Sequence, residues 1–233
     1  MTPYDLLLRR VDPTRPMVTH YDGPAGRVEL SAASVANAVA KAASMLRDGL
    51  GLAPDAVVSV DLPRHWQLPV WVMAGLSVGA RVGRDLPDRV DVRVLGPEGL
   101  DRLRAGADPA AEDTLVASCD AFGMPVPGGV PAGVIDISVE VRAHPDHFRP
   151  EPAASGTAAL IRHGVPRAWS QLDPGSVPPG ARLWVDGATP ERDLLDLLVV
   201  RPLLLEGSVV IGMDLDPAQV AAIQRAEGVT PGL

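Results

Sequence analysis

Short runs of branched aliphatic residues alternate with longer stretches of helical periodicity, and this alternation restricts the fold more than any other feature. Val57-Val58-Ser59-Val60-Asp61-Leu62 reads as a buried strand, Trp66 to Val78 as an apolar helix, and Ala80-Arg81-Val82-Gly83 as the next short strand. Val90 to Leu95, Glu98 to Arg104 and Thr114 to Cys119 continue the series as strand, helix and strand. Helical crossovers of this kind join parallel strands. The chain is therefore expected to be α/β, with a doubly wound, largely parallel sheet flanked by helices.

The remaining segments fit the same class. Thr2-Pro3 has the chemistry of a helix start, with Leu8 near its end. Met17 to Asp22 and Arg27 to Leu30 flank Gly23-Pro24-Ala25-Gly26, a hairpin signal. Ser31 is placed to cap a helix whose stripe is Val35, Val39, Ala42 and Leu46. Met124 to Gly133 is Pro- and Gly-rich loop, and Val134 to Arg142 alternates like a half-exposed strand. His144 to Pro152 reads as a Pro-rich linker, dividing a first lobe (1–143) from a smaller one (153–233), packed together or apart. In the second lobe Ala158 to Arg162, Leu183 to Val185 and Ser208 to Gly212 read as strands. Asp193 to Leu205 reads as a helix kinked or stopped early at Pro202, and Asp216-Pro217 opens a last helix to Ala226.

Composition limits function. The chain has 233 residues and a net charge of −8, so it lacks the basic field of a nucleic-acid binder. Its longest apolar stretch, Leu194 to Gly212, is interrupted by Asp196, Arg201 and Glu206, so no membrane insertion is expected. Residues 1–8 lack a basic lead and a long apolar run, which argues against a signal peptide and for a cytoplasmic protein. Cys119 is the only cysteine, which excludes an intrachain disulfide and a multi-cysteine zinc site. Only eight residues are aromatic, so the core must be aliphatic. Lys41 is the only lysine among 21 basic residues, the arginine bias of a GC-rich genome.

That single lysine lies in mid-helix, which excludes a Walker-type phosphate loop, and no G-x-S-x-G elbow occurs. Cys119 reads as a small buried hydrophobe. His144 and His147 are separated by Pro145, which argues against a helical ligand pair, and no metal site is expected. In Asp214-x-Asp216 the second carboxylate reads as a helix cap. The most informative segment is Leu160-Ile161-Arg162-His163-Gly164-Val165-Pro166-Arg167: a strand, a glycine turn and a cation. Such turns can present backbone N–H groups to phosphate. Ser155-Gly156-Thr157 is a second small polar turn nearby.

Taken in order, Arg27-Val28-Glu29-Leu30-Ser31, Gly51 to Val58, Leu62-Pro63 with Trp71 to Ala80, Leu203 to Ile211, and Ala226-Glu227-Gly228-Val229-Thr230 resemble the N-terminal region of acyl-adenylate-forming (AMP-binding) enzymes such as acyl-CoA synthetases. Glu140-Val141-Arg142 followed by Asp146-His147-Phe148-x-Pro150 is similar to a small actinobacterial family of short proteins. The resemblance implies the α/β fold of a truncated N-terminal region. It also implies a phosphate loop at Gly164, Pro166 and Arg167, with Ser155, Gly156 and Thr157 preceding it. That loop departs from the family pattern. The Ser/Thr run before it is absent, and Arg167 stands where the family has lysine. The family's adenine motif and C-terminal lid are not found in this sequence. The expectation is a non-catalytic, degenerate homologue acting as a binding or interaction module. It would have no catalytic residue and no cofactor, and would work as a homodimer or with a protein partner. One alternative is a partner-dependent fragment of an acyl-adenylating system that binds AMP or ATP. Another is an unrelated small enzyme using Asp214, Asp216, His144 or His147.

Overall fold

The computed structural model describes residues 1–23 and 26–231. Two sheets enclose a layer of helices. The first sheet has the order β10-β11-β1-β2. It is built from β1 (Pro16–Asp22), β2 (Gly26–Ser31), β10 (Arg182–Asp186) and β11 (Ser208–Met213). Within it β10, β11 and β1 are parallel, and β2 returns antiparallel to β1. The hairpin expected there forms, although Pro24 and Ala25 of its turn lie outside the described residues.

The second sheet has the order β7-β6-β5-β3-β4-β8-β9. Its strands are β3 (Val57–Asp61), β4 (Arg81–Gly83), β5 (Val90–Leu95), β6 (Ala111–Val116), β7 (Val134–Asp136), β8 (Ala159–Arg162) and β9 (Val165–Ala168). All neighbours are parallel except β8 and β9. The fold is thus α/β with a largely parallel sheet. The segment 144–152 does not separate the sheets, because each draws strands from both sides of it.

Helix α4 (Pro97–Arg104) connects β5 to β6. Helices α2 (Ala32–Ser44) and α3 (Gln67–Ser77) lie between the sheets. The first touches β1 and β2, the second touches β3 and β4, and the two pack on each other. Every residue of α3 is buried, which explains why its sequence is apolar all round rather than striped. Pro69 is tolerated because it falls in the first turn, where no intrahelical N–H is needed. Ser77 Oγ donates to the Met73 carbonyl (2.7 Å). It also accepts from the Tyr4 N–H (3.1 Å), tying down α1 (Pro3–Leu8).

Three local outcomes differ from the sequence reading. The Val134 to Arg142 segment is a strand only to Asp136, followed by helix α5 (Ile137–Glu140). Asp136 caps it by accepting the Ser138 N–H (2.9 Å), and Ile137 and Val141, four apart, share a helical face as well as they share a strand face. The strand expected at Thr114 to Cys119 runs instead over Ala111–Val116. The helix expected from Asp193 to Leu205 is α7 (Glu191–Leu195), a widened turn at Asp196–Val200, and α8 (Arg201–Leu204). The widening answers Pro202, whose ring would otherwise collide with the carbonyl one turn back. The last helix, α9 (Pro217–Ala226), starts in a capping box between Asp216 and Gln219, as expected.

Candidate functional site

Ligands of open parallel sheets bind beyond the carboxyl ends of the strands, where successive connections diverge. In the larger sheet that point lies between β3, which leads to β4, and β5, which leads to β6. The chain is close-packed there at Gly96: a side chain would sit 2.7 Å from Pro63 Cδ and 3.7 Å from Cys119 Sγ. Burial pushes the Cys119 thiol up to about 12, so it is a poor nucleophile.

The open cleft lies one step along, beyond β4 and β8. A hollow of about 290 Å³ is walled by Leu86, Pro87, Ile161 and Leu195, with Arg84, Arg162 and Glu191 at its rim. A second hollow of about 420 Å³ continues past His163 to Arg167. The wall at 85–88 is held by a buried ion pair. Arg93 Nη1 meets Asp61 Oδ2 at 2.7 Å, Arg93 Nη2 donates to the Leu86 carbonyl at 2.8 Å, and the Asp85 N–H donates to Asp61 Oδ1 at 2.7 Å.

The expected phosphate loop is in this cleft, but its form is a tight hairpin. Arg162 pairs directly with Val165, leaving only His163 and Gly164 as the turn. Both have positive φ (51° and 74°), as a two-residue turn joining right-twisted strands requires. Pro166 and Arg167 lie in β9, paired with Ile161 and Leu160. Pro166 also removes an N–H from the outermost strand, which guards an open sheet edge. Ser155, Gly156 and Thr157 belong to the short helix α6 (Ala154–Thr157), whose Ala154 and Thr157 press on Gly79 (φ +92°) at the end of α3.

Two groups absent from the sequence reading define the cleft and its neighbourhood. Arg64 Nη2 and Arg84 Nε both approach the Glu191 carboxylate, at 2.8 and 3.6 Å. Arg64 and Arg84 are largely buried, whereas the Glu191 side chain is 59% exposed. Arg162 is paired with Asp196, and Arg192 with Asp193. Farther in, His20 of β1 meets His65 edge to face at a centroid distance of 4.6 Å, joining the smaller sheet to the connection between β3 and α3. The Gln67 N–H donates to His65 Nδ1 (3.3 Å), which assigns the His65 proton to Nε2. Burial, reinforced by His20 and opposed by Asp120, pushes His65 down to about 3; burial also lowers His20, against Asp22. His20 Nδ1, His65 Nε2 and Gln67 Oε1 are buried without a hydrogen-bond partner. No local motif announces either group.

The other candidate residues do not converge. Asp216 is the α9 cap. His144 packs where Gly49 leaves room for its ring, and His147 is 88% exposed. Among the described residues no group of three or more His, Cys, Asp or Glu is placed to hold a metal ion. No helix among them is long and apolar enough to cross a membrane.

No family model matches the chain. It is 37% identical over 145 residues to a TIGR03089 family protein of Mycobacterium tuberculosis, covering 61% of this chain and 59% of that protein. Among solved structures it is similar to an acyl-CoA synthetase of Brucella canis (TM-score 0.73, 17% identity, 99% of this chain and 46% of the other). It is also similar to the N-terminal domain of FACL13 from Mycobacterium tuberculosis (TM-score 0.71, 16% identity, 98% and 61%). A third likeness is to acetoacetyl-CoA synthetase from Streptomyces lividans (TM-score 0.66, 18% identity, 98% and 44%). The chain thus spans about half to three fifths of the length of the proteins it matches, and it shares their fold.

Proposed function

We propose that this chain is a non-catalytic binding module built on the fold of an acyl-CoA synthetase N-terminal domain. The observation that carries the reading is the two-residue turn at His163 and Gly164. A phosphate cradle needs several successive N–H groups directed at one point. A turn whose flanking residues are paired with each other has no span left to provide them. Activating a carboxylate on ATP further requires cations positioned on the transferred phosphorus. Arg167, the residue in the family's lysine position, sits in the outermost strand at the far end of the cleft. Shape without the cradle favours binding over turnover. The partner, a second copy or another protein, belongs to the same reading.

ATP–pyrophosphate exchange with a panel of carboxylic acids tests it. The expected result is no exchange above a heat-killed control. Exchange that depends on the added acid overturns the reading.

A further inference from the structure

Arg64 leaves the turn after β3, and Arg84 the turn after β4. Each guanidinium is fixed by a backbone carbonyl: Arg64 Nη2 donates to Thr189 O and Arg84 Nη1 to Leu62 O, both at 2.7 Å. They converge on one carboxylate, Glu191. Two cations against one acid leave a local excess of positive charge. Of the other arginines of the cleft, Arg162 and Arg192 have acids of their own, and Arg167 lies at its far end in β9. The Nε atoms of Arg64 and Arg84 are buried and have no hydrogen-bond partner. The cations are fixed and shielded, whereas the carboxylate is exposed and stands on the first residue of α7.

We infer that Arg64 and Arg84 form a binding site for a doubly charged tetrahedral oxyanion, with Glu191 as its internal occupant. An incoming phosphate head group takes the place of the Glu191 carboxylate, which turns into solvent. A dianion satisfies both guanidiniums where a single carboxylate satisfies them in part, and the planar forks suit tetrahedral oxygens. The adjoining 290 Å³ hollow, walled by Leu86, Pro87, Ile161 and Leu195, has room for an apolar group esterified to that phosphate. The site uses none of the residues of the expected phosphate loop. It rests on the binding-module reading and supplies its ligand class.

Chemical rescue tests the site. Glu191→Ala lowers the Tm, and inorganic phosphate restores it along a saturating curve that sodium chloride at matched ionic strength does not reproduce. Removing the internal competitor tightens phosphate binding by about tenfold relative to the wild type, since an occupied site reduces apparent affinity in proportion to its occupancy. Adding Arg84→Gln to the variant abolishes the rescue. Phenyl phosphate acting more strongly than inorganic phosphate identifies an ester as ligand; equal effects identify free phosphate. Rescue no better than chloride, or rescue that persists with Arg84→Gln, overturns the site. Acid-dependent pyrophosphate exchange would overturn the binding-module reading separately, whatever phosphate does here.

Discussion

Between pH 6.5 and pH 4.5 the protein is expected to lose about 2 kcal/mol of stability through His65 alone. His65 titrates near 6.5 in the unfolded chain and at about 3 in the folded one, because burial and the neighbouring His20 outweigh the attraction of Asp120. A depressed folded value means that protons bind preferentially to the unfolded state. Stability is therefore complete above about 6.5 and declines as the pH falls toward 3, at about 1.4 kcal/mol per unit. His20, also lowered by burial, acts in the same direction. The His20–His65 contact joins β1 to the β3–α3 connection, so the loss should report on that junction. Denaturant titrations at pH 7.0 and 4.5 measure it. In His65→Asn the amide oxygen can still accept the Gln67 N–H, but the side chain does not titrate, so most of the difference between the two pH values should vanish. A difference as large as that of the wild type would assign the acid sensitivity elsewhere.

Replacing Glu227 by alanine should cost about 3 kcal/mol, because it leaves a largely buried Arg182 without its acid. Glu227 follows α9 and accepts from Tyr21 OH (2.6 Å) and Arg27 Nε (3.0 Å), and it pairs with Arg182 of β10. Arg182 also donates to Thr19 (2.9 Å) and Ser208 (3.1 Å), so the network ties the residue after α9 to all four strands of the smaller sheet. A loss of that size should lower Tm by roughly 6–12 °C. Burial alone would raise the Glu227 carboxyl, but the hydrogen bonds from Tyr21, Arg27 and Arg182 outweigh it and hold it at about 2. Its stabilisation is present above the unfolded value of 4.5 and is lost as the pH falls toward 2. The two acid effects thus separate: His65→Asn flattens the upper part of the acid limb, and Glu227→Ala the lower part. A Tm within 2 °C of the wild type would show that the network is dispensable.

Much of the fold was legible because its signals are local. The Val35, Val39, Ala42, Leu46 stripe, the Val57 to Asp61 run and the Asp216-Pro217 cap each declare themselves within a few residues. Val134 to Arg142 misled because its aliphatic spacing serves two periodicities, and the deciding factor was the Asp136 cap. The interleaving of the two sheets was not legible. It depends on pairings such as Val18 with Val209, which composition cannot link. The cleft divides in the same way. The turn at Gly164 was placed correctly as a glycine turn after a strand. Arg64, Arg84 and Glu191 meet only because β3 and β4 end where α7 begins, and His20 of β1 finds His65 of the β3–α3 connection. Sequence spacing carries no trace of such encounters.

The most direct measurement is a thermal-shift titration with ATP, AMP and a stable acyl-adenylate mimic, on the wild type and on Arg167→Ala. If the hairpin at His163 and Gly164 has replaced the phosphate cradle, the two proteins give the same curves, and the adenosine part adds nothing to the effect of phosphate. A surviving nucleotide site would behave differently. Ligand at about 100 times its dissociation constant adds roughly 2.7 kcal/mol to native stability. For a chain of this size that is a shift of roughly 5–10 °C. A shift of that size with an adenylate, abolished by Arg167→Ala, would contradict a fold that has lost its phosphate loop.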